Sequence, residues 1–144
     1  MADQKEQFQH WLMDMDDAIA RFLATMHEDD ARKLDFSAAS LEAIEALALR
    51  AYAGIDALEK PSESKTVDAM ARYVGETFRR HLGGKWFIDF SDPKNAFHGL
   101  PQLKDMRGQT AQICPMTLVS ASTDRRKGDF ILTVFRNIEK RSMH

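Results

Sequence analysis

The sequence is poor in groups that carry covalent or cofactor chemistry. A single cysteine, Cys114, excludes an internal disulfide and a thiolate-rich zinc site. Its neighbours Ile113 and Pro115 give it an apolar setting that suits a structural residue rather than a nucleophile. No Gly-x-Ser-x-Gly elbow, Walker phosphate loop, Gly-x-Gly-x-x-Gly run or His-Glu-x-x-His pair occurs. No apolar run approaches the roughly 20 residues that span a bilayer, so no membrane partner is expected. The opening MADQKEQFQHW lacks the basic-then-apolar layout of a secretory signal, which makes the cytoplasm the expected location. Neither enzyme chemistry nor a cofactor is expected.

What is present is the ordinary balance of a folded domain, 44% hydrophobic and 29% charged over 144 residues. One domain spanning residues 1–144 is the size that such a chain supports. The net charge of −2 conceals a polarity. Residues 1–30 carry two basic and eight acidic groups, net −6, whereas residues 64–144 carry fourteen and eight, net +6. Either the acidic first helix lies near the basic C-terminal part, or one end is a docking surface whose field steers an oppositely charged partner.

Phe8, Trp11, Leu12, Met15, Ile19, Phe22, Leu23 and Met26 recur at spacings of three and four, which predicts one amphipathic helix of about six turns. Asp3 can cap it, and Asp14, Asp16, Asp17 and Arg21 fall mainly on the outer side. His27 to Lys33 reads as a charged connection, and Leu34-Asp35-Phe36 as a short extended piece or loop anchor. Ser37 or Ser40 caps a second helix with Leu41, Ile44, Leu47, Ala48 and Ala51 inward. Beyond the Lys60-Pro61-Ser62 breaker, Ser64 or Thr66 opens a third, carrying Val67, Met70, Ala71, Val74, Phe78 and Leu82 at helical period. Gly83-Gly84 stops it, and Lys85 to Phe90 reads as a strand.

Ser91 to Gly108 reads as loop. A second extended stretch is expected over Thr110 to Cys114 and Met116 to Val119, with Pro115 marking an edge or bend. The last segment holds Phe130, Ile131, Val134, Phe135 and Ile138 at helical spacing, with Asp129 as its cap and Lys140-Arg141 at its end. The fold class that follows is a helix-rich α+β domain with three N-terminal helices, a small antiparallel sheet and a C-terminal helix.

Two constellations stand out. His10, Asp14 and Asp17 share a helical face and could hold a divalent ion, although the same residues suit a solvated surface. The third helix is denser, with Arg72, Tyr73, Glu76, Arg79, Arg80 and His81. Glu76 is spaced for ion pairs with Arg72, Arg79 and Arg80, the arrangement of a salt-bridged surface. Tyr73, Glu76 and Arg80 are also placed to form a binding face near Trp86, and Gly75 beside them permits close approach. The basic runs Arg125-Arg126-Lys127 and Lys140-Arg141 sit in a slightly acidic chain without a nucleic-acid motif, so nucleic acid is not the expected partner.

The run from Tyr73 to Trp86, with Tyr-Val-Gly-Glu followed by Leu-Gly-Gly-Lys-Trp, resembles a pattern in small bacterial proteins where a helix ends in Leu-Gly-Gly and enters a Trp-bearing strand. In size and layout such proteins are similar to the immunity proteins of bacterial toxin systems. With that resemblance, the absence of catalytic signatures and the charge polarity of a small chain point to a non-enzymatic binding protein with a protein partner, a basic toxin domain among the candidates. The partner-binding residues are then Asp14, Asp16, Asp17, Tyr73, Glu76, Arg79, Arg80 and Trp86. A small metal-dependent hydrolase and a structural homo-oligomer are the alternatives from other classes.

Overall fold

A computed structural model describes residues 3–110 and 112–141. The N-terminal amphipathic segment is helical as its spacing requires, but it forms two rods, α1 (Gln4–Met13) and α2 (Met15–Ala24). The Asp3 carboxylate caps α1 by accepting the Glu6 N–H at 2.7 Å. Asp14 stands at the break with φ −86° and ψ 2°. There Arg72 donates its Nη1–H to the Trp11 carbonyl at 2.8 Å, and a side chain entering the backbone ladder is a known cause of such a kink. The apolar stripe is divided accordingly. Met15 and Ile19 of α2 are buried, whereas no residue of α1 is.

The charged connection is itself partly helical, α3 (Glu28–Lys33), capped by His27 Nδ1 accepting the Asp29 N–H at 3.1 Å. Leu34 anchors the following loop in the core, and Phe36 adopts φ +64° there. Of the two serines, Ser37 supports the start of α4 (Ser40–Ala51), its Oγ accepting the Ser40 N–H at 3.2 Å. Leu41, Ile44 and Ala48 face inward, but Ala51, the last residue of the helix, is exposed. A short α5 (Ile55–Leu58) and a 3₁₀ turn (Pro61–Glu63) lead into α6 (Ser64–Leu82). This 19-residue rod is the axis of the fold. Its buried Val67, Met70, Val74, Phe78 and Leu82 meet α2, α4 and the later helices.

Gly83 and Gly84, at φ +75° and +108°, turn the chain out of α6. The strand that follows is shorter than expected, β1 (Lys85–Phe87), and its partner is β2 (Gln102–Lys104) within the stretch read as loop. The two are antiparallel, with Trp86 opposite Leu103. The extended stretch expected over Thr110 to Val119 is corrected. Only Ile113 makes a bridge, to Leu103, and Ala111 lies outside the described residues. Pro115 opens a helix, α7 (Pro115–Arg125), where its fixed φ and missing N–H suit the first turn. Buried Cys114 precedes it and packs into the interior.

The closing segment is helical as read, α8 (Phe130–Arg141), with Ile131, Phe135 and Ile138 buried. Phe135 meets Phe78 of α6 edge to face at 5.3 Å. Asp129 stands at the cap position, its carbonyl accepting the Thr133 N–H at 2.9 Å, but the first N–H groups of the helix are met from elsewhere. Glu45 of α4, fully buried, accepts the N–H groups of Phe130 and Ile131 at 3.2 and 2.9 Å. Arg126, at φ +54°, bonds the Tyr52 and Leu49 carbonyls at 2.9 Å each and so closes the C-terminus of α4. The helix-rich α+β class holds, with eight α-helices and a two-stranded sheet among the described residues. None of these helices is long and apolar enough to cross a membrane.

Candidate functional site

The acidic residues singled out on the first helix divide at the break. Asp14 pairs with Arg21 at 2.6 Å, and this hydrogen-bonded guanidinium holds its carboxyl below the ordinary aspartate value. Asp16 and Asp17 are exposed on α2 and make no ion pair among the described residues. Much of the neighbouring negative charge has local partners. Arg50 meets Asp30 at 3.0 Å, and Arg32 lies between Glu28 and Asp29 at 3.4 and 3.3 Å. α2 packs along α6, where its acidic residues come near Arg72 and Arg79.

The constellation on α6 separates into two internal assemblies. Tyr73 is fully buried and closes a hydrogen-bond chain. The Phe36 N–H donates to Tyr73 Oη at 2.9 Å, which donates to Ser40 Oγ at 2.7 Å, which donates to the Ser37 carbonyl at 2.6 Å. Burial raises the phenol above its ordinary value. The Phe36 ring lies between the Tyr73 ring, 4.8 Å away, and the Arg80 guanidinium at 3.5 Å. His81 Nε2 sits 2.8 Å from the Phe36 carbonyl. Three residues of α6 thus hold a bulky residue in left-handed backbone that it would otherwise avoid. The Tyr73–Arg80 pairing read from the sequence is present, but as a clamp on this loop.

Glu76, 3% exposed, belongs to the other assembly. It accepts Arg79 Nε and Nη2 at 2.6 and 3.1 Å and faces Trp86 Nε1 at 3.4 Å. The hydrogen bonds that Arg79 donates to Glu76 raise its guanidinium, and the Asp16 charge acts in the same direction. Gly75 does permit a close approach, that of the Trp86 indole. A Cβ at this position would stand 2.0 Å from Trp86 Cη2. The expectation that Tyr73 and Glu76 present a binding surface is therefore corrected, since both lie inside and their polar atoms are engaged. Arg79 and Arg80 remain exposed, and Trp86 is half-buried.

The sequence reading missed the group that joins these elements. Trp11 Nε1 donates to Asp68 at 2.8 Å, and the other Asp68 oxygen accepts Arg72 Nε at 2.7 Å. The Arg72 guanidinium lies 4.3 Å over the Trp11 ring, and Trp86 meets the same ring edge on at 5.0 Å. The i,i+4 spacing of Asp68 and Arg72 was a visible signal, but Trp11 read only as part of an apolar stripe. His10, Asp14 and Asp17 do not assemble a metal centre. Among the described residues no group of three His, Cys, Asp or Glu side chains is placed to hold an ion. His81 and Glu76 of α6 have separate partners, one the Phe36 carbonyl and the other Arg79 and Trp86. His144 lies outside the described residues. No protein-family model, no curated protein and no solved structure matches the chain.

Proposed function

We propose that this chain is a non-enzymatic protein-binding domain of the kind represented by bacterial toxin-immunity proteins, and that it meets a basic partner domain through the outward face of α2. One observation carries the reading. Asp16 and Asp17 are adjacent, exposed and without an ion pair among the described residues, within a 30-residue segment of net charge −6. Unpaired carboxylates on a rigid helix raise encounter rates with a cationic surface and set its orientation. Arg79 and Asp14 flank the patch and give it a mixed rim. The immunity role follows from the resemblance of the Tyr73–Trp86 run and from the match of charge to a basic toxin domain.

The test is charge reversal at Asp16 and Asp17, leaving Asp14 to its pairing with Arg21. Wild-type protein is expected to retain one stoichiometric basic partner from its native cytosol at low salt. The Asp16→Lys/Asp17→Lys variant should lose roughly tenfold or more in association rate with that partner, and added salt should act likewise. Equal binding by the doubly reversed variant would refute the surface assignment.

A further inference from the structure

A cleft of about 470 Å³ runs between α2 and the first half of α6. It stays open because Ala18 and Ala69 line it where larger side chains would fill the space between the helices. Phe22 adds an apolar wall, while Asp14, Arg21, Lys65, Asp68 and Arg72 supply the polar groups. The volume lies within the usual range for small-molecule sites, about 300–1,000 Å³.

The hydrogen bonds already made around this cleft decide which ligand suits it. Both Asp68 oxygens are engaged, by Trp11 Nε1 and Arg72 Nε, and Asp14 is engaged by Arg21. The cations are less fully used. Arg72 is only 5% exposed and is fixed through Nε, through Nη1 and by stacking on Trp11. Its Nη2 makes no hydrogen bond among the described residues. Lys65, on the exposed rim, makes no ion pair among them. A guanidinium immobilised on three sides, with donor capacity left over, is a preorganised anion receptor.

We propose that this cleft binds a small organic anion, a carboxylate or phosphate monoester with an apolar body. The anionic head meets Arg72 with the unpaired Lys65 on the rim, where three lining cations face two carboxylates, and the body lies on Ala18, Ala69 and Phe22. This site is separate from the acidic outer face of α2 and does not rest on the protein-binding reading.

Benzoate and phenyl phosphate are suitable probes, with benzylamine as the control of similar body and opposite charge. Binding is read from the backbone amide signals of Ala18 and Ala69 and the Arg72 Nε signal in two-dimensional NMR. At least one anion should give saturable shifts at millimolar concentration, the ordinary range for a fragment of about ten non-hydrogen atoms. Ala69→Leu, which fills the cleft, should abolish them. Lys65→Glu should weaken binding by roughly fivefold through its field alone. No saturable shift with either anion, or benzylamine binding as well as the anions, overturns the proposal. Anion binding that persists in folded Ala69→Leu does the same. Should Ala69→Leu fail to fold, unchanged affinity in Lys65→Glu, an exposed helix-surface substitution, is equally decisive against it.

Discussion

Replacing Glu45 with alanine should damage this fold more than its place in an Ala- and Leu-rich helix suggests. The carboxylate is fully buried and accepts two N–H groups at the start of α8, at 3.2 and 2.9 Å. It thereby satisfies donors that α8 cannot satisfy itself and places negative charge at the positive end of the helix dipole. Loss of a helix cap costs about 1 kcal/mol, and a buried donor left unsatisfied costs about 1–3 kcal/mol more. A destabilisation of about 3 kcal/mol follows for Glu45→Ala. In a chain of 144 residues that lowers Tm by roughly 10 °C. Glu45→Gln keeps the shape and one acceptor oxygen, but turns an NH₂ toward the second N–H, and should cost about half as much. Urea unfolding gives the difference from the midpoint at constant m value. Hydrogen exchange at Phe130 and Ile131 then shows whether the loss is local to the α8 terminus. A Glu45→Ala variant within about 0.5 kcal/mol of wild type, with unchanged exchange at those two amides, would refute the remote-cap account.

The chain has two tyrosines, and both phenols are raised: Tyr52 to about 12, by burial first and then its bond to Glu63, and Tyr73 by burial. Because the folded state holds these protons more tightly than the unfolded chain, their contribution to stability is intact below the free phenol value of about 10. It is lost as pH rises from there toward 12. Phenolate absorbance of the native protein should therefore stay low at pH 10 and appear together with unfolding; free-phenol titration in folded protein would contradict this. Gly75→Ala should drive the Trp86 ring from its seat, since the new Cβ would lie 2.0 Å from Cη2. Overpacking costs about 1–3 kcal/mol and the better helix former returns up to 1. The expected outcome is a modest net loss in urea unfolding with red-shifted tryptophan emission, and an unshifted spectrum would place Trp86 elsewhere.

Features set by local spacing are legible in the sequence. The inward faces of α4, α6 and α8, the Gly83-Gly84 stop and the strand at Trp86 all follow from periodicity and backbone preference. Those that failed depend on partners distant in sequence. The break at Asp14 is tied to Arg72, whose bond to the Trp11 carbonyl crosses 61 positions, and Glu45 reaches its two N–H partners across 85 and 86. Pro115 was ambiguous for a different reason. The same missing N–H that interrupts a strand is harmless in the first turn of a helix, and the β-branched residues around it favoured the wrong choice. β2 was invisible because three residues are too few for alternation to register. At the candidate site, residue types were read correctly, but their direction was not. Tyr73 and Glu76 are polar residues turned inward to internal partners, which helical spacing alone does not reveal.

The break at Asp14 also explains how one acidic segment presents two chemically different faces. Asp14, Ala18, Arg21, Phe22 and Thr25 follow helical spacing along the side of α2 that faces α6, and they line the cleft. Asp16 and Asp17 lie off that line, on exposed surface. Arg21 is held to the cleft side by Asp14, so the outer carboxylates have no cation of their own helix paired to them among the described residues. Arg72 draws the Trp11 carbonyl and the Trp11 ring toward α6 and so sets where α1 ends. Neutralising Arg72 would therefore loosen the break, the cleft and the orientation of α2 together. That coupling is why the variants that separate the two surfaces are placed at Ala69, Lys65, Asp16 and Asp17, away from the group on which both depend.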